Sequence, residues 1–211
     1  MKLTIYLVLL NVVIFFLTVV VGMDYCVNEF GFRPSSFLAG RVYTIITSMF
    51  LHADVFHLGF NMIALFLLGT SLEKKIDKKR YLVVYFLGGI VGSLVMLIPF
   101  LYAPNTIGIG ASGAISALVG LGTFFCLGKL VIFPSVLPLA FVGAGALYFL
   151  STAMNLFVPS SIGYPVHMVG LIVGSIFGLI WSHNWLRGIL IFIIILILII
   201  SLPYILAWIF L

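Results

Sequence analysis

His57, Asn61, Ser112 and His167 are the side chains of this sequence best suited to do chemistry, because each stands near the edge of an apolar run. Ser112 lies inside Gly-Ala-Ser-Gly, residues 110–113. A serine hydroxyl is a weak nucleophile until a base comes within hydrogen-bond reach. Histidine, with an ordinary pKa of about 6.5, is the usual base, and His167, two residues after Pro165, is the candidate. Gly110 and Gly113, on either side of the serine, leave room for a substrate backbone. A backbone N–H at a helix start can face a developing oxyanion, helped by the helix dipole. His57 and Asn61 are four residues apart, on one helical face, and could donate to the same oxyanion. Asp24, Asp54 and Asp77 are poorly placed to complete a triad, which leaves a Ser–His dyad.

The elements that must position these groups are membrane helices. The chain is 64% hydrophobic and 7% charged, against about 25% charged residues in a soluble domain. A spanning helix needs about 20 mostly apolar residues, and seven candidates run near 3–22, 52–71, 81–101, 111–128, 136–158, 165–183 and 188–211. The first lacks a small-residue cleavage site and reads as a span rather than a signal peptide. "EKKIDKKR" at 73–80 reads as a charged connector, and residues 22–49 as a long, aromatic-rich, interfacial first loop. The fold class expected is all-α: a polytopic membrane bundle, with a six-helix core over 1–187 and one more spanning helix over 188–211.

The net charge of +5 would suggest nucleic acid in a soluble protein, but here it reports orientation. With the N-terminus inside, Lys2, Lys74, Lys75, Lys78, Lys79, Arg80, Lys129 and Arg187 fall inside, and only Arg33 and Arg41 fall outside. The C-terminus is then outside. Cys26 and Cys126 fall at opposite faces, so no bridge between them is expected.

This topology brings the polar sites to one level. The second, fourth and sixth helices all run from outside to inside, with His57, Ser112 and His167 near their starts. Ser112, Ser116 and Gly120 form one small-residue stripe, and His167, Gly170, Gly174 and Gly178 another. Such stripes let membrane helices approach closely. Packed together, they would bring Ser112 to His167 at equal depth.

Together "HLGFN" (57–61), "GASGAISAL" (110–118) and "HMVGLIVG" (167–174) resemble the rhomboid intramembrane serine proteases, over about residues 3 to 184. The resemblance implies Ser112 as nucleophile, His167 as general base, and His57, Asn61 and the Ser112 N–H as the oxyanion hole. It implies cleavage of single-span transmembrane proteins near the outer face of the bilayer, with the plasma membrane as the expected location, and with no metal and no cofactor. Glu73, in "LEKKI", and Arg41, in the first loop, become structural candidates, as do Gly110, Gly113, Gly170 and Gly174. The sequence departs from the family at Gly40, where a tryptophan usually precedes the arginine. It departs also at Ser116, where many members place a tyrosine that stacks on the histidine, and at Val166, where a small residue is common.

Rival chemistries fit less well. His52 and His57 are five apart with no Glu in an H-E-x-x-H arrangement, unlike a zinc protease. No lysine lies in a span near Ser112, unlike a Ser–Lys enzyme. A transporter would place broken helices or a repeat at the midplane. The rival from another class is a non-catalytic relative that holds transmembrane clients.

Overall fold

In lipid every backbone N–H and C=O must be satisfied within its own segment or by protein, so apolar stretches of this length fold as helices. The computed structural model describes residues 2–99, 101–126, 130–132, 138–154 and 163–210. α1 (Lys2–Val21) leads into a first loop built from α2 (Met23–Phe30), α3 (Pro34–Leu38), α4 (Thr44–Thr47) and a 3-10 turn over Ser48–Phe50. Next come α5 (Val55–Glu73), α6 (Lys78–Leu94, extended by a 3-10 turn to Leu97) and α7 (Ser112–Phe125). A short antiparallel ribbon of β1 (Leu130–Ile132) and β2 (Pro138–Ala140) precedes α8 (Phe141–Met154), α9 (Tyr164–Trp181) and α10 (Trp185–Phe210). Among the described residues, α1, α5, α6 with its 3-10 turn, and α9 are long and apolar enough to cross a membrane alone. The architecture is an all-α polytopic membrane bundle.

Burial runs inside out, as a lipid solvent demands. α1 turns Leu9, Phe16 and Val20 outward and buries Thr4, Asn11 and Thr18. Asn11 Nδ2 donates to the Leu7 carbonyl at 2.7 Å and Thr18 Oγ1 to the Ile14 carbonyl at 2.8 Å, both within α1, while Thr4 Oγ1 bonds the Tyr81 hydroxyl on α6 at 3.3 Å. α7 is the opposite case, since every residue from Gly113 to Phe124 is buried. It is the central post of the bundle and is wrapped by protein. Its 14 residues rise only about 21 Å, short of the roughly 30 Å hydrocarbon core.

Small residues set the α7–α9 contact. A side chain at Gly174 would collide with the Ala117 carbonyl, one at Gly170 with that of Gly113, and one at Gly120 with the backbone of Leu171. A Cβ at Gly178 would lie 2.8 Å from the Leu121 carbonyl. The face of α7 that meets α9 is therefore Gly113, Ser116, Ala117 and Gly120. This shifts the expected stripe, since Ser112 heads the seam without lying in its packed part. α6 joins from the other side, where Gly88 admits Ala117 and a Cβ at Gly92 would stand 3.1 Å from the Val166 carbonyl.

Several expected limits move, for local reasons. The second helix starts at Val55 rather than 52, because Asp54 is its N-cap and accepts from the His57 N–H at 2.8 Å. The charged connector shrinks because Glu73 ends α5 and Asp77 caps α6, accepting from the Arg80 N–H at 2.9 Å. The apolar run expected to open the fifth helix is instead β2 over Pro138–Ala140, and α8 begins at Phe141. α10 begins at Trp185, three residues before the expected start. Phe100, residues 127–128, Lys129, residues 136–137, residues 155–158 and Leu211, which entered those expectations, lie outside the described residues.

Candidate active site

Three helix starts converge. α9 opens with Pro165 in its first turn, and the His167 N–H bonds to the Gly163 carbonyl at 3.1 Å. The ring of His167 then reaches across the seam, and its Nε2 lies 2.8 Å from Ser112 Oγ. The edge of the Tyr164 ring packs on the imidazole, with centroids 6.2 Å apart. Ser112 is the first residue of α7, so its N–H is among those with no partner inside the helix.

The approach to α7 is fixed by backbone. Gly110 has φ +118°, a conformation that side chains with a Cβ avoid. A Cβ there would also stand 2.8 Å from His57 Nε2 and 3.9 Å from Ser112 Oγ. Gly110 thus leaves open the space that Ser112 and His57 share. The first loop holds this turn in place. Phe32 and Gly108 exchange two bridge bonds, at 3.0 and 2.8 Å, and the Gly110 N–H donates to the Ser48 carbonyl at 2.9 Å. Ser35 adds its N–H to the Pro104 carbonyl at 3.0 Å and its hydroxyl to Asn105 Oδ1 at 2.9 Å.

On α5, His57 Nδ1 accepts from the Ala53 N–H at 3.3 Å. A neutral imidazole that accepts at Nδ1 carries its proton on Nε2, the atom facing Gly110 and Ser112. Asn61 sits one turn on, with Nδ2 donating to the His57 carbonyl at 2.8 Å. That bond uses one amide hydrogen and leaves the other. His52, fully buried, meets the His57 ring edge-on with centroids 5.1 Å apart. A cavity of about 220 Å³ adjoins Ser112, lined by Phe60, Asn61, Ile115, Val119 and Tyr148 among others. A larger apolar recess, about 300 Å³, lies between α1 and the first loop around Leu17, Cys26 and Phe50, away from this chemistry.

The structure therefore brings together Ser112, His167, His57, Asn61, Gly110, Gly113 and Gly170, with Gly174 one turn further along α9. It leaves two expected residues elsewhere. Glu73, at the far end of α5, accepts the Leu3 and Thr4 N–H groups at 2.9 and 3.0 Å and so caps the start of α1. Arg41 belongs to the first loop, where one guanidinium nitrogen meets both Glu29 oxygens at 2.7 and 2.6 Å. That bond, and a second from Tyr43, hold the Glu29 carboxyl below its ordinary pKa. Sequence reading missed Tyr148, whose hydroxyl lies 2.7 Å from Ser116 Oγ. The available signal was a phenol halfway along a helix whose other polar side chains are Ser151 and Thr152. On the same helix Gly145 is a contact point whose missing side chain admits Thr123.

Comparison with known proteins shows the family. The family model described as Rhomboid domain matches residues 39–184. RHOMBOID-like protein 12, mitochondrial, of Arabidopsis thaliana is 32% identical over 133 residues, covering 56% of this chain and 40% of that protein. Rhomboid protease AarA of Providencia stuartii is 31% identical over 148 residues, or 62% of this chain and 52% of that protein. Inactive RHOMBOID-like protein 8 of Arabidopsis thaliana is 35% identical over 80 residues, 38% of this chain and 22% of that protein. The chain spans about half the length of these relatives or less. With more than half of its residues in the family match, the chain belongs to the rhomboid family.

Proposed function

We propose that this integral membrane protein is a serine endopeptidase that cleaves transmembrane segments of other membrane proteins through Ser112 and His167. The observation that carries the reading is the 2.8 Å approach of His167 Nε2 to Ser112 Oγ across two helices. With its proton on Nδ1, the imidazole accepts the serine proton as Oγ attacks the scissile carbonyl. Charge then builds on the carbonyl oxygen, and the donors around Gly110 are the Ser112 N–H, His57 Nε2 and the second Asn61 hydrogen. His167 next gives its proton to the leaving amine, and the acyl-enzyme remains on Ser112. A water molecule, deprotonated by the same imidazole, releases the acid and restores the serine. Donors already in place cost no reorganisation as charge develops.

Helix length supports the substrate class. α7 is about 9 Å too short for the hydrocarbon core, given its 14 residues and roughly 1.5 Å per residue. A helix this short can hold the nucleophile at its start below one face, where a transmembrane segment would reach it. We read that face as the outer one, in the plasma membrane, with the N-terminus cytoplasmic and the C-terminus out, and the positive-inside pattern supports the orientation. The core over 1–187 would carry the activity, with 188–211 as an added helix.

The test is incubation of purified protein with a panel of single-span peptides, with the products read by mass spectrometry. The reading expects cleavage that disappears in Ser112→Ala together with fluorophosphonate labelling. A second reading, a non-catalytic holder of transmembrane clients, is favoured by one observation, the similarity to a relative named as inactive. It expects client binding that survives Ser112→Ala, and no labelling.

A further inference from the structure

Ser116 is fully buried, and its Oγ lies 2.7 Å from the Ser112 carbonyl oxygen and 2.7 Å from the Tyr148 hydroxyl. A serine hydroxyl has one proton and two lone pairs. The carbonyl can only accept, so the Ser116 proton goes to Ser112, and the tyrosine must be the donor to Ser116. A directed chain results: Tyr148 O–H to Ser116 Oγ–H to the Ser112 C=O. Each bond in such a chain polarises the next.

The chain crosses between helices. Tyr148 stands on α8, and its ring lines the cavity beside Ser112. α8 touches α7 again where Gly145 admits Thr123. The two contacts run antiparallel, so the tyrosine is the one nearer the nucleophile. Ser112 opens its helix, so no earlier helical turn lies before it. Its carbonyl is the backbone atom through which a neighbouring helix grips it.

We propose that Tyr148 is a positioning residue for Ser112, fixing the first turn of α7 through Ser116 so that Oγ stays aligned with His167. This rests on Ser112 being the nucleophile.

The experiment uses the full chain in lipid nanodiscs with a small, water-borne fluorophosphonate, which does not need α8 to part as a transmembrane substrate could. Tyr148→Phe keeps the ring and removes the hydroxyl; Ser116→Ala removes the middle of the chain from the other helix. Each should slow labelling of Ser112 by about 5- to 20-fold. The double variant should be no slower than either single one, because both break one chain. For a single-span substrate, kcat should fall by a similar factor with KM unchanged. Unchanged labelling in either folded variant, effects that multiply, or a change confined to KM would each overturn the proposal. Labelling of Ser112→Ala at the wild-type rate would instead overturn the choice of nucleophile, whatever Tyr148 does.

Discussion

Truncating Asn61 or His57 to alanine keeps nucleophile and base but takes one donor from the space above Gly110. Loss of one such donor costs about 3 kcal/mol, roughly a hundredfold in turnover. It should appear in kcat rather than KM, because the charge it answers exists only in the transition state. Steady-state kinetics of both variants is the check. Ser112→Ala and His167→Ala should each abolish cleavage, and the double variant should be little worse, since they act as one unit. Activity should climb with pH on one limb, because a protonated imidazole cannot accept from Ser112. These four residues were legible in the sequence because polar groups in apolar segments are expensive and stand out. Tyr148 was not, since a phenol in a membrane helix also reads as packing. Its partner at Ser116 emerges only from the antiparallel pairing of α7 with α8.

The elements carry the distance between those residues. Gly174 has the Ala117 carbonyl against it, so Gly174→Leu must push α9 from α7 and carry His167 away from Ser112. A displacement of about 1 Å costs on the order of a hundredfold in rate. Activity of a folded Gly174→Leu protein, measured beside its melting temperature, tests this. Glu73 acts on another element, because its carboxylate bonds the first N–H groups of α1. Glu73→Ala should cost about 1 kcal/mol of stability, as loss of a cap does, with labelling of Ser112 unchanged. The order of the helices followed from apolar length, but of the seven expected spans only α1, α5, α6 with its 3-10 turn and α9 are, among the described residues, long and apolar enough to cross a membrane. Their exact limits followed from caps at Asp54 and Asp77, which composition alone does not reveal. The ribbon before α8 was hidden because a short apolar run has no period that separates strand from helix.

At the scale of the molecule, α10 packs on the core through Phe192, whose ring lies 5.3 Å from that of Phe124 and 5.8 Å from that of Phe149. Ending the chain after Arg187 should lower the melting temperature, since such pairs are worth about 0.5–1.5 kcal/mol each, yet leave fluorophosphonate labelling intact. The first loop should respond to acid. Arg41 holds the Glu29 carboxyl below its ordinary pKa, so the pair stabilises the fold above that ordinary value. The contribution is lost as pH falls through the lowered value. The gap in melting temperature between wild type and Arg41→Ala should therefore be open at pH 7 and close in acid.

The bonds between the first loop and the turn before α7 bear also on timescale. Phe32, Gly108 and Gly110 lie outside the long helices, yet their amides are bonded within the protein at 2.8 to 3.0 Å. Amides held in this way exchange with solvent only when the segment opens. In deuterium these loop amides should persist like those of a helix core, and release together when the first loop lifts. The slowest clock at this end of the molecule would then belong to a loop, and the backbone that presents the nucleophile would be rigid through the far briefer time of a turnover.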